Sequence, residues 1–173
     1  AFGNAASRNH SFGWEAEAAV DNAREQVAKL IGADPKEIVF TSGATEADNL
    51  ALKGVFEMYA GKGNHIITCN IEHKAVLDTC KHIEKQGGEI TCLKVKENGL
   101  IDLAELEAAI KPNTILISIM YANNEIGTIM PMEEIAALAK KKGILVFSDA
   151  TQAIGKIPID INKIGIDLMA FTA

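Results

Sequence analysis

No apolar stretch in these 173 residues approaches the roughly 18 needed to span a bilayer, and no basic region followed by a hydrophobic segment opens the chain. A cytoplasmic protein without a membrane partner is expected. Cationic charge is also short: 17 Lys and Arg face 23 Asp and Glu, for a net charge of -6. With no basic stripe to neutralise phosphates, nucleic acid is not expected as the main partner, and Lys140 to Lys142 read as a solvated helix end. Cysteine is scarce, and Cys69, Cys80 and Cys92 are odd in number and widely spaced. They fit neither a disulfide framework nor a close metal-ligand pattern, so reduced thiols and no metal site are expected. Repeats, low-complexity tracts and interdomain linkers are absent too. An initiating Met is missing, and the opening Ala1-Phe2-Gly3-Asn4 has a loop composition, which suggests a piece of something longer.

What is present is the balance of a globular domain, 48% hydrophobic and 23% charged, spanning residues 1–173 as one unit. From Trp14 to Ile31 the apolar spacing is helical, with Gly32 placed to end it. Ile38 to Ser42 reads as a short strand, followed by Gly43 and a second helix through Leu50, Leu52, Val55, Phe56 and Tyr59. Further strands are expected at about His65 to Cys69, Ile90 to Val95, Ile115 to Met120, Ile144 to Ser148 and Leu168 to Thr172. Helices are expected between them at Lys74 to Gln86, Leu103 to Lys111 and Met132 to Lys142. This alternation implies an α/β fold: a mostly parallel open sheet with helices on both faces.

In such a sheet ligands bind outside the carboxyl ends of the strands, and five chemistry-bearing residues, Thr45, His73, Asn124, Asp149 and Thr172, fall at or just past the ends of the expected strands. Asp149 closes the apolar run Ile144 to Ser148, where a charge needs a cationic partner such as a protonated ring nitrogen. Gln152, three residues on, can address another edge of the same planar ligand. Ala44 and Thr45 open a helix, where backbone amides and a hydroxyl suit a phosphate; equally, Thr45 could simply cap that helix. The spacing is that of neither a P-loop nor a dinucleotide glycine fingerprint. His73 could stack on a planar ring or serve as a cap. Asn124 can donate to a carboxylate or a phenolic oxygen, and Thr172 could add a hydroxyl to the phosphate.

The motifs Phe2-Gly3-Asn4 with Ser7 and His10, Thr41-Ser42-Gly43-Ala44-Thr45-Glu46 with Asn49, Glu72-His73-Lys74, Asn123-Asn124-Glu125-Ile126-Gly127 and Asp149-Ala150-Thr151-Gln152 resemble those of the cysteine desulfurases. These belong to the class V aminotransferases, are homodimers that use pyridoxal phosphate, and supply sulfur for iron-sulfur cluster assembly. The resemblance runs end to end, with Ala5 standing where the family usually has proline.

The resemblance implies part of the large domain of a fold type I pyridoxal phosphate enzyme, the cofactor-binding segment without its early strand and the C-terminal small domain. Ala44 and Thr45 would hold the phosphate, and His73 would act as the catalytic residue stacked on the pyridine ring. Asn124 would meet the substrate carboxylate or the cofactor phenolate, Asp149 the ring nitrogen, and Gln152 the phenolic oxygen. L-cysteine would give L-alanine, its sulfur passing to an enzyme persulfide and then to an acceptor or iron-sulfur scaffold protein. The cofactor-binding lysine of the family follows just past Ala173 and its reactive cysteine lies on a later loop, so this segment alone is expected to be inactive. A selenocysteine lyase, another class V aminotransferase-like enzyme, a noncatalytic binding module and a generic nucleotide-binding domain are the competing readings.

Overall fold

The computed structural model describes residues 3–7 and 9–172, so Phe2 of the opening motif lies outside the described residues. Helix α1 (Ser11–Ile31) starts one turn earlier than its apolar spacing predicts, because the His10 ring accepts the Gly13 amide hydrogen and caps it. Gly32 ends it in the left-handed conformation (φ 77°), as the sequence predicts. Helix α2 (Ala44–Met58) follows a short 3-10 turn at Pro35–Glu37. The remaining elements alternate: β1 (His65–Cys69), α3 (Lys74–Lys85), β2 (Glu89–Leu93), α4 (Leu103–Ala109), β3 (Thr114–Ser118), α5 (Met132–Lys142), β4 (Leu145–Asp149), α6 (Ile161–Ile164) and β5 (Leu168–Ala170).

All five strands are parallel, in the order β2-β1-β3-β4-β5. Strand residues alternate between two cores. Ile66, Leu116 and Phe147 face Leu52 and Val55 of α2 and Val76, Cys80 and Ile83 of α3. Ile67, Ile117 and Val146 face Leu106 of α4, Ile135 and Ala139 of α5, and Ile164 of α6. Helices thus cover both faces, as expected. The end of α1 packs through Ala28 and Ile31 beside Ile38, Ile161 and Met169.

Two expectations fail. Ile38 to Ser42 pairs with no strand among the described residues and bends at Ser42, leaving Val39 68% and Phe40 50% exposed. A β-rich composition becomes a strand only where a neighbour accepts its backbone bonds. Here the Arg24 guanidinium of α1 takes the Ile38 carbonyl and lies 4.8 Å from the centre of the Phe40 ring. Strand β5 also stops at Ala170, so Thr172 is an exposed residue beyond the sheet instead of its last member.

The strand order fixes where a site can form. From β1 the chain turns outward to β2, whereas from β3 it proceeds through β4 to β5. With right-handed crossovers, the loops leaving β1 and β3 diverge and open a crevice between them. Glu72 and His73 lie on the first of these loops, and Asn123 and Asn124 on the second.

Candidate functional site

Asp149 ends β4 with 6% exposure, and one of its oxygens accepts the Thr151 amide hydrogen at 3.0 Å. Two other side chains converge on it. Asp48 reaches in from α2 and His73 from the start of α3, and one polar side-chain atom of each of the three lies within 4.8 Å of the other two. Asp48 shares a buried stripe with Leu52 and Val55, at i, i+4 and i+7, and is itself fully buried. Neither of its oxygens has a hydrogen-bond partner among the described residues. Burial first, and then the charge of Asp149, push its carboxyl up to about 7.

Glu72 forms a second layer of acid beneath this group. One oxygen accepts the Met120 amide at 2.6 Å and the Cys69 thiol at 3.3 Å, which ties the end of β1 to the residues following β3. The other oxygen has no partner among the described residues. Burial pushes the carboxyl up to about 8 against the pull of those two bonds, with Asp149 and Asp48 adding to the rise. Sequence reasoning places neither Asp48 nor Glu72 at the site. For Asp48 the signal is legible all the same: a carboxylate occupies a position that the helical spacing assigns to an apolar residue.

His73 is a cap as well as a member of the site. Its Nδ1 accepts the Ala75 amide hydrogen at 3.2 Å, so the proton of the neutral ring belongs on Nε2. The residue is exposed, which leaves a ring face open to a planar ligand.

At the start of α2 Thr45 is not the capping residue. The N-cap is Gly43, without a side-chain bond, and Thr45 lies inside the first turn. Both Glu46 and Ala47 direct their amides to the Gly43 carbonyl. Ala44 and Thr45 therefore carry the amides that a helix start leaves free for an anion. A Cβ built on Gly43 would meet nothing within 4 Å, so there is open room at this point. The Glu46 carboxylate is drawn aside to the Ser42 amide at 2.5 Å, which holds its pKa below the ordinary range. Because Ala44 and Thr45 lie one turn from Asp48, the helix start and Asp149 share one edge of the molecule.

Asn124 is exposed in the turn after β3, where Ala122 bridges back to Ile129. It lines an open depression together with Gln152. The Gln152 carbonyl oxygen accepts from the Lys156 ammonium at 2.5 Å, leaving its NH2 group as the donor for a ligand oxygen. Asn123 instead braces the loops: it is buried, donates to the Ile71 carbonyl at 3.0 Å, and accepts the Glu125 and Ile126 amides at 2.9 Å each. Thr172 is exposed beyond the end of β5. Cys69 and Cys80 are buried, and burial raises the pKa of all three thiols, that of Cys80 to about 12. None is poised as a thiolate.

An open parallel sheet with its reactive side chains beyond the carboxyl ends of the strands is a ligand-binding α/β domain. More narrowly, the chain belongs to the class V aminotransferase family, whose model matches residues 1–173. It is 60% identical over 171 residues to the cysteine desulfurase IscS of Pectobacterium carotovorum subsp. carotovorum (strain PC1), a match covering 99% of this chain and 42% of that protein. The IscS of Proteus mirabilis (strain HI4320) is likewise 60% identical, over 172 residues, with 99% and 43% covered. The chain thus spans less than half the length of these relatives.

Among solved structures, a NifS-like protein superposes with a TM-score of 0.95 at 44% identity, covering 99% of this chain and 47% of its own. A structure described as SspA in complex with cysteine also gives 0.95, at 42% identity, with 99% and 49% covered.

Proposed function

We propose that this chain is a segment of the cofactor-binding large domain of a pyridoxal phosphate-dependent cysteine desulfurase. The observation that carries the reading is the buried Asp149 carboxylate meeting the Asp48 carboxyl and the His73 imidazole within 4.8 Å. Such a place calls for a cationic group. The cofactor fits the residues present on two counts. The two Asp48 oxygens, without a partner among the described residues, mark a polar environment left unsatisfied, and the open start of α2 offers free amides and space for a phosphate. The relatives named IscS and the cysteine complex of SspA support the choice of substrate.

When bound, pyridoxal phosphate supplies an electron sink for the pair left behind as a substrate bond breaks. The chain's own residues bind and orient. Ala44 and Thr45 would anchor the phosphate through their amides and the Thr45 hydroxyl, with Thr172 as a further hydroxyl. His73 would cover one face of the ring, and the capping bond at Nδ1 fixes its orientation. Asp149 would face the ring nitrogen, where a carboxylate keeps a proton in place. Gln152 would donate its NH2 to the phenolic oxygen, and Asn124 would meet that oxygen or the substrate carboxylate.

In the overall reaction an enzyme thiol and L-cysteine give L-alanine and an enzyme persulfide, whose outer sulfur goes to an acceptor or iron-sulfur scaffold protein. No thiol of this chain suits that role, so the attacking cysteine and the cofactor's lysine belong to the remainder of the polypeptide. A cytoplasmic homodimer is the assembly proposed for the whole protein. The test is to load the full-length protein with pyridoxal phosphate, add L-cysteine and a reductant, and measure alanine and sulfide. Equal amounts of both are expected. Cofactor binding without alanine release would overturn the desulfurase assignment, and turnover by residues 1–173 alone would overturn the division of labour.

A further inference from the structure

Asp48 is the one group of the cluster that the proposed cofactor contacts leave unused. Its place on the sheet-facing stripe of α2 belongs to an apolar residue by spacing, yet it holds a fully buried carboxyl with both oxygens unpartnered among the described residues. Among the described residues no hydrogen bond compensates for that desolvation. The groups that face it are Asp149 from the end of β4 and His73 from the cap of α3, both within 4.8 Å, with Glu72 from the loop after β1 also coupled to it by charge.

We propose that Asp48 is a positioning residue that sets the electrostatic field at Asp149, and through it how firmly a ring nitrogen facing Asp149 keeps its proton. This rests on the reading of Asp149 given above. Desolvation and the neighbouring charge place the ionisation of Asp48 at about 7. Below that pH Asp48 is neutral. Above it a negative charge appears on Asp48 beside Asp149, in a buried setting where charges act strongly on each other. The affinity of Asp149 and its ligand for their shared proton then rises. Asp48 touches no substrate in this scheme and acts through Asp149 alone.

Two measurements on the full-length protein test this. First, in the cofactor-free wild type with aspartate labelled at 13Cγ, the Asp149 resonance should show a step at the pH where Asp48 ionises, within a titration from about pH 6 to 9. An Asp149 resonance that stays flat through the Asp48 transition overturns the proposal, whatever the variants do. Second, with pyridoxal phosphate 15N-labelled in the ring, the nitrogen shift should carry a step in the same range. Asp48→Asn and Asp48→Ala should both lose it, Asp48→Asn resting at the acid-limb value of the wild type. A step that persists in both variants assigns the titration to another group and overturns the proposal. Asp149→Asn is the control for the underlying reading, because it should abolish the protonated-nitrogen signal at every pH. Retention of that signal would refute the role of Asp149, whereas its loss together with an unchanged step in the Asp48 variants would refute only the role of Asp48.

Discussion

His65 at the amino edge of the sheet and Asp48 at the carboxyl edge are equally buried, each with no measurable exposure, but the fold treats them in opposite ways. His65 Nδ1 lies 2.7 Å from the Thr114 hydroxyl and Nε2 2.8 Å from the Thr91 hydroxyl, so both ring nitrogens are satisfied across three strands. Burial, helped by Lys111, lowers its pKa and keeps the ring neutral. Asn64, Glu89, Lys111 and Asn113 extend this network along the same edge. At the other edge Asp48 has no partner and Glu72 keeps one oxygen free among the described residues. A satisfied buried polar group fixes register and stability, whereas an unsatisfied one stores a demand that a ligand can meet.

The strongest way to break the contrast is Asp149→Asn in the full-length protein. Alanine release should fall on the order of 10³-fold in kcat, the scale for removing a preorganised charge from a reacting site, with the urea midpoint little changed. Next, His65→Ala should act in the opposite sense, lowering unfolding free energy by about 3 kcal/mol through a cavity and the loss of the two side-chain hydrogen bonds to Thr91 and Thr114. Urea titration would measure this, and cofactor affinity should stay within about twofold once folding is ensured.

The smallest effect concerns pH. Glu72 is raised from an ordinary 4.5 to about 8, so the folded state holds its proton more tightly than the unfolded chain does. Its contribution to stability is fully present below pH 4.5 and is lost as pH rises through 8. Asp48, raised from 3.8 to about 7, adds a loss of the same sign. The urea midpoint should therefore decline between these limits, and Glu72→Gln should flatten the decline while leaving the acid limb close to wild type. A wild type whose midpoint rises across that window would refute the assignment.

Much of the fold is legible in the sequence because periodicity and burial agree. Strand β1 and helix α5 begin and end at the residues expected of them, one as an apolar run and the other between Pro131 and the left-handed Gly143. Ile38 to Ser42 misleads because strand composition says nothing about whether a partner strand lies alongside. At the site, Asp149, His73 and the start of α2 are legible as chemistry at element ends, and the sheet brings their edge together. Asp48 escapes a reading of helical spacing that weighs the apolar members alone. The capping role of His73 depends on where a ring nitrogen points, which only the folded backbone reveals.

Asn123 shapes how a ligand would be received. Its carboxamide bolts the loop after β3 to the Ile71 carbonyl on the loop after β1, spanning the two sides of the diverging crevice. The width of that opening is set before anything arrives, so an incoming molecule need not spend binding energy on ordering the two loops. The Glu72 bond to the Met120 amide clamps the same two segments from beneath, so the mouth of the crevice is braced twice.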